Sequence, residues 1–186
     1  MVSDLSLDRI VKHYCSVFKS TCTPISMSIG PWREIHSHFH VLEVEPTDHR
    51  ELWTYATVGM SARARPALEL HMVSMKQDRT LVQLLTATAH YHVTGRHLDL
   101  GHAVNFGRGW QKGSQCDHGL ISLPYLDGPS LEQCNIGTDR TVRCLWLIPI
   151  TASEAKFNAE YGLELLEQRF DNADLQFADP ERASVV

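Results

Sequence analysis

Between Thr141 and Thr151 the chain reads TVRCLWLIPIT, its most apolar run. Polar stretches bound it and Val, Ile and Trp enrich it, so it predicts a short buried strand. Such a strand has no polar face to offer water. Both of its faces must be covered, which places it in the middle of a sheet.

Around this strand the pattern alternates between helical and extended segments. In LDRIVKHYCSVFK, Ile10, Val11, Tyr14, Cys15 and Phe18 fall at helical spacing, with Ser6 as the predicted cap. After the turn-prone TCTP come ISMSIGPW, HFHVLEVEP, ELWTYATVGMS and PALELHMVSM. Their alternation and β-branched content predict strands, punctuated by Pro46, Gly59 and Pro66. In DRTLVQLLTATAHYHVTG the period changes: Leu81, Leu84, Leu85, Thr88 and Tyr91 share one helical face, and Gly95 supplies a C-terminal cap. Two extended pieces, GHAVNF and HGLISLPYL, flank the glycine-rich loop GRGWQKGSQCD. Thr151 opens a last helix with the capping box TASE, and Leu163, Leu166 and Phe170 line its inner face. Residues 178–186 lack periodicity and are predicted to fray. With no repeat, low-complexity block or linker, the 186 residues read as a single domain.

Charge and cysteine usage narrow the function classes. The formal charge of −5 and the absence of any Lys/Arg run longer than two exclude nucleic acid and anionic membranes as expected ligands. Five cysteines, Cys15, Cys22, Cys116, Cys134 and Cys144, form no CxxC pair and read as reduced, mostly buried thiols. The start MVSDLSLDRIVKHY lacks the features of a signal peptide, and nowhere do about 18 apolar residues run together. A cytoplasmic location is expected.

The heptapeptide EIHSHFH puts Glu34, His36, His38 and His40 at alternate positions. On a strand these would share a face, and several imidazoles on one face can hold a divalent metal. With Glu43 the spacing matches half of a cupin signature, so a metal-dependent enzyme built on His36, His38, His40 and Glu43 is the alternative to be tested. The expected reading is instead the hydrated side of a strand that gives Phe39 and Val41 to the core. His90 and His92 sit two apart on a helix and diverge. Cys116, Asp117 and His118 are contiguous, and adjacent side chains do not face one another as a triad must. GxSxG, HExxH, GxGxxG and a phosphate-binding loop are all absent. No catalytic residue and no cofactor is therefore expected. Apolar and aromatic residues in loops, Trp32, Trp110, Tyr125 and LPYLDGP, read equally as interface anchors, if exposed, and as parts of the core. Pro124 marks HGLISLPYL as an edge strand, open to an added peptide strand.

The same segments resemble the suppressor of fused family, in order, from about residue 36 to 171. HFHVLEVEP and LWTYATVGMS, ending in Gly59, Met60 and Ser61, are similar to the family's early strand pair. LLTATAHYHVTGRHLDLGHAVNFGRGW, CDHGLISLPYLDGPSLE and RCLWLIPITASEAKFNAEYGLELLEQRFD are similar to its helix, paired strands, central strand and following helix. The resemblance implies an α/β (α+β) domain with a mixed, mostly antiparallel central sheet flanked by helices, working by binding protein without catalysis. Animal relatives grip a short peptide as an added strand, and short bacterial relatives are thought to neutralise toxins as immunity proteins. The additional C-terminal domain of the animal proteins is expected to be absent. By analogy the partner-binding residues are His118, Leu123, Tyr125, Leu126 and Asp127, with Tyr125 and Leu123 as anchors and Asp127 meeting a polar or basic partner group. The expected partner is a protein or peptide, a toxin being the candidate.

Overall fold

The apolar run does occupy the middle of a sheet. In this computed structural model, which describes residues 4–25, 30–137 and 139–186, the elements run α1 (Asp4–Phe18), β1 (Cys22–Ile25), α2 (Trp32–Ile35), β2 (His40–Val44), β3 (Trp53–Val58), β4 (Leu68–Ser74), α3 (Thr80–Thr94), β5 (Ala103–Asn105), β6 (His118–Ser122), α4 (Pro129–Glu132), β7 (Gln133–Gly137), β8 (Arg140–Ile150), α5 (Ala152–Tyr161) and α6 (Leu163–Asn172). The strand order is β1-β2-β3-β4-β8-β6-β5, with β7 also on β8. The pairing of β4 with β8 is parallel and the others are antiparallel.

β8 explains the layering. Successive side chains point to opposite faces, so the strand feeds two layers at once. Leu145 and Leu147 join the core under α3. On the other face Val142 and Cys144 pack with α1 residues Ile10, Tyr14 and Phe18. Trp146, Ile148 and Ile150, further along that same face, pack with Leu166 and Phe170 of α6. Along β8, one face is thus covered by α3 and the other by α1 and then α6.

β4 crosses the same ground. Leu68, Leu70 and Met72 face α3, while Glu69, His71 and Val73 alternate onto the other side. Glu69 is fully buried. Its carboxylate accepts from the Thr57 hydroxyl at 2.7 Å, the N–H groups of Gly59, Met60 and Ser61 at 2.9, 3.2 and 3.0 Å, and the Ser61 hydroxyl at 2.7 Å. Gly59 reaches this turn at φ 102°, in the region that favours glycine. The Gly-Met-Ser segment is therefore a cradle for a buried anion.

Several expectations hold and several need correction. The capping box forms, with Glu154 N–H donating to Thr151 Oγ1 at 3.2 Å and Thr151 N–H to Glu154 Oε2 at 2.8 Å. Gly95 ends α3, its N–H bonded to Tyr91 O at 2.8 Å. Tyr91 itself, expected on the inner face, is exposed. Ser6 lies inside α1 and does not cap it. TCTP forms most of β1 where a turn was expected, because the sheet margin tolerates Pro24. ISMSIGPW was expected as a strand; residues 26–29 lie outside the described residues, and Trp32 opens α2. The last predicted helix breaks in two at Gly162, φ 89°. The tail expected to fray is held by Arg182, buried and bonded to Glu154 at 2.7 and 2.8 Å and to Pro149 O at 2.9 Å. All five cysteines are free thiols, three of them buried.

Replacing Glu69 by Ala would leave three inward N–H groups and two hydroxyls without their acceptor. A loss of about 3–5 kcal/mol is expected in urea unfolding, since each buried donor left unsatisfied costs about 1–3 kcal/mol and the site can relax only in part. A loss under about 1 kcal/mol would mean that the cradle is not a structural anchor.

Candidate functional site

The two helices on one face of the sheet leave a seam between them, and its floor is polar. His71 lies there, its ring stacked on Trp146 (centroids 6.4 Å, planes 7° apart) and edge-on to Phe18 of α1 (6.3 Å). Its Nδ1 has no hydrogen-bond partner. Burial, the dominant effect, lowers the imidazole from 6.5 to about 4, against an opposing pull from Asp127.

Asp127 reaches the seam from the loop after β6. That loop is folded on itself: Tyr125 N–H bonds Leu123 O at 2.9 Å, and the N–H groups of Asp127 and Gly128 bond Pro124 O at 3.0 and 2.9 Å. Asp127 turns inward to a two-pronged pair with Arg50, Nε to Oδ1 at 2.8 Å and Nη2 to Oδ2 at 3.2 Å. Arg50 also bonds Leu52 O at 3.1 Å and the Thr54 hydroxyl, and lies 4.7 Å over the Phe18 ring. This ties the loop to the start of β3, 77 residues away in sequence.

With Asp127 pulled in, Tyr125 and Leu126 stand out, 57% and 52% exposed. They form a ridge between two cavities. The one beside Leu126, about 700 Å³, is lined by Leu52, Val73, Met75, Leu175 and Phe177 among others, and Met75 at its rim is 64% exposed. The one beside Tyr125 is smaller, about 230 Å³, with Phe170, Phe177, Glu167 and Asp171 in its walls. Phe177 borders both and packs on Trp146 at 5.0 Å. Burial and the Glu167 carboxylate push the Tyr125 phenol up to about 12. A wider depression of about 990 Å³ between α1 and β7 is polar and lies away from this ridge. Exposed apolar side chains beside concave surfaces suit the capture of another chain.

The five residues expected to bind a partner therefore part company. Tyr125 and Leu126 come together on the ridge. Asp127 is beside them, but its side chain is 7% exposed and already paired with Arg50. Leu123 is half-buried and packs against the core under α3. His118 sits at the far end of β6, paired with Asp117 at 2.7 Å. The open strand edge expected at HGLISLPYL is closed: β6 is bonded by β8 on one side and by β5 on the other, and Gly101 N–H and His102 O extend that seal to Ile121. Met75, Leu52, Leu175, Phe177 and Arg50 were not singled out by the sequence: Leu52 and Met75 fall at the ends of the predicted strands ELWTYATVGMS and PALELHMVSM, and the other three lie in segments without periodic signal.

The alternating histidines do not share a strand face. Glu34 belongs to α2, His36–Phe39 form a turn closed by Phe39 N–H to His36 O at 3.0 Å, and β2 starts only at His40. His40 Nδ1 is 2.9 Å from His38 O, and Glu34 pairs with His90 at 2.9 Å. Glu43 is buried and accepts from Gln77 at 3.1 Å. Among the described residues no three His, Cys, Asp or Glu side chains converge to hold a metal ion. The set His36, His38, His40 and Glu43 is corrected accordingly.

Two measurements check this seam. Unfolded His71 takes a proton near 6.5 and the folded side chain only near 4, so its contribution is full above pH 6.5 and lost as pH falls toward 4. Wild type should lose on the order of 3 kcal/mol more than His71→Leu across that window in urea unfolding; parallel profiles would contradict the burial of a neutral imidazole. Asp127→Ala should cost about 2–4 kcal/mol by stranding Arg50, whereas an unchanged melting temperature would show the carboxylate to be structurally idle.

Comparison with known proteins adds family to geometry. The suppressor of fused protein (SUFU) family profile matches residues 36–183. No curated protein matches the chain. Among solved structures, a protein described as a SUFU homologue from Neisseria gonorrhoeae FA 1090 superposes with TM-score 0.85 at 30% identity, covering 96% of each chain. A chain of the Sufu–Fu complex gives TM-score 0.73 at 14% identity, over 97% of this chain and 92% of that one. Drosophila Suppressor of Fused gives 0.70 at 14% identity over 97% of this chain, which spans 51% of the fly protein. At 14% identity these last two show the shared fold alone. An apolar strand covered on both faces, a Gly-Met-Ser cradle and a folded loop beside a two-helix seam thus belong to a member of the suppressor of fused family.

Proposed function

We propose that this protein is a non-catalytic binding module that seats a protein or peptide partner across the Tyr125–Leu126 ridge, and that the partner is a toxin which it neutralises in the cytoplasm. The observation that carries the binding reading is the ridge itself. Tyr125, Leu126 and Met75 are large, apolar and mostly exposed, and they surround two formed cavities. Soluble proteins seldom leave such a group uncovered without use.

Family membership supports a binding role, and a Sufu chain of this fold has been solved in complex with Fu. The toxin reading rests on resemblance to bacterial members, and the gonococcal homologue matches this chain over 96% of each. No helix among the described residues is long and apolar enough to cross a membrane. Because β6 is paired on both edges, recognition here runs through side chains on the ridge and not through an added strand beside it.

The test is capture from native lysate by tagged protein, with Leu126→Asp/Met75→Asp as control. The double variant changes two exposed residues, so its melting temperature should stay within about 3 °C of wild type. Capture should drop at least about tenfold, because two apolar anchors are replaced by charges. A captured protein that stops growth when expressed alone, and is silenced by co-expression with wild type only, would establish neutralisation. Equal capture by both forms would remove the ridge as the site.

A further inference from the structure

The larger cavity carries Asp174 and Asp179 beside one aromatic ring, Phe177, whereas the smaller one sets a hydrogen-bonded carboxylate among several rings. Three of its walls are aromatic, from Tyr125, Phe170 and Phe177. Glu167 is fixed at its side: Oε1 accepts from the fully buried Ser122 hydroxyl at 2.6 Å, and Oε2 from the Tyr125 hydroxyl at 3.0 Å. Both donors are neutral, so they orient the carboxylate without cancelling its charge. Asp171, one turn further along α6, adds a second carboxylate. Among the described residues the lining holds no lysine, arginine or histidine.

A formed recess with negative charge and aromatic faces selects a cation. A guanidinium fits better than an ammonium, because it is planar, stacks on aromatic rings and can bond a fixed carboxylate by two N–H groups. The volume of about 230 Å³ equals roughly seven or eight waters, enough for one long side chain and too small for a helix. We propose that this cavity is an arginine pocket, in which a partner's guanidinium lies between Tyr125 and Phe177 and bonds Glu167, with Asp171 adding attraction. That the guanidinium comes from a partner protein rests on the binding role proposed above; the pocket's preference for it does not.

The probe is N-acetyl-arginine methylamide, titrated into 15N-labelled protein, with the citrulline compound as its uncharged isostere. Saturable shifts are expected at the amides of Ser122, Tyr125 and Phe177, with citrulline weaker by about tenfold or more, as expected for losing a charge-assisted pair. Glu167→Gln keeps an acceptor for one of the two hydroxyls and turns its NH2 to the other, whose oxygen can accept; combined with Asp171→Asn it should weaken arginine by about tenfold while the spectrum stays folded. Equal binding of citrulline, unaltered binding to the double variant, or no saturable shift at these amides would overturn the assignment. Leu126→Asp/Met75→Asp leaves the pocket intact and should titrate like wild type. Loss of capture in that variant without arginine binding to wild type would sink the pocket alone. Arginine binding with undiminished capture would sink the ridge alone.

Discussion

A strand that is apolar on both faces cannot be finished by one cover, and β8 receives three. α3 closes one side across Leu145 and Leu147, while α1 and α6 share the other, over Val142 and Cys144 and then over Trp146, Ile148 and Ile150. Two helices placed side by side on a twisted sheet cannot close every gap between them. The remaining seam cannot stay apolar and open, and it is filled by Asp127, which pairs with Arg50 at 2.8 Å and lies 3.9 Å from His71. The ridge that projects Tyr125 and Leu126 follows from that filling: drawing Asp127 inward turns its two predecessors outward.

The margins of the seam are held by buried charge, which is costly unless every lone pair and proton finds a partner. Glu69 meets this condition through the Gly59–Ser61 turn, fixing β3 and β4 beneath α1. Glu154 and Arg182 meet it at the other margin for all but the Arg182 Nε–H, since one carboxylate serves the cap of α5, the guanidinium and the Val185 N–H. The tail therefore stays against the α6 core, and Phe177, upstream of Arg182, is kept over Trp146 as the shared wall of both cavities. A residue with no periodic signal shapes the site because an ion pair fixes the segment after it.

Elements with a strong local signal were legible in the sequence. The apolar run, the period of α3 with its Gly95 stop, and the Thr151 capping box each depend on neighbours within a few residues, and each formed. Signals that depend on distant partners were not legible. EIHSHFH alternates as a strand would, yet pairing with β3 begins only at His40, and the preceding residues turn. HGLISLPYL carries an edge residue in Pro124, but the three residues of β5 that seal it are short and weakly patterned. Asp127 looked available because its partner, Arg50, lies 77 residues earlier in a stretch without pattern. Tyr125 and Leu126 stood out in the sequence as aromatic and apolar residues in a loop, and the fold leaves both exposed.

The closed edge of β6 changes what kind of recognition this surface can perform. A free strand edge offers the same N–H and C=O groups whatever the side chains, so its affinity is largely indifferent to partner sequence. A ridge between a wide recess of mixed lining and a narrow aromatic one that holds a fixed carboxylate offers almost nothing to a backbone. It asks instead for particular side chains at a set separation. Preorganisation supports such a demand: Ser122 and Tyr125 hold Glu167, Trp146 and Phe170 hold Phe177, and Arg50 holds the loop. Rigid walls lower the ordering cost of binding and raise the penalty for a mismatched partner. A protein whose task is to recognise one target among many would be served by that arrangement, and within this fold the discrimination would lie in residues of α6 and the tail as much as in the strand.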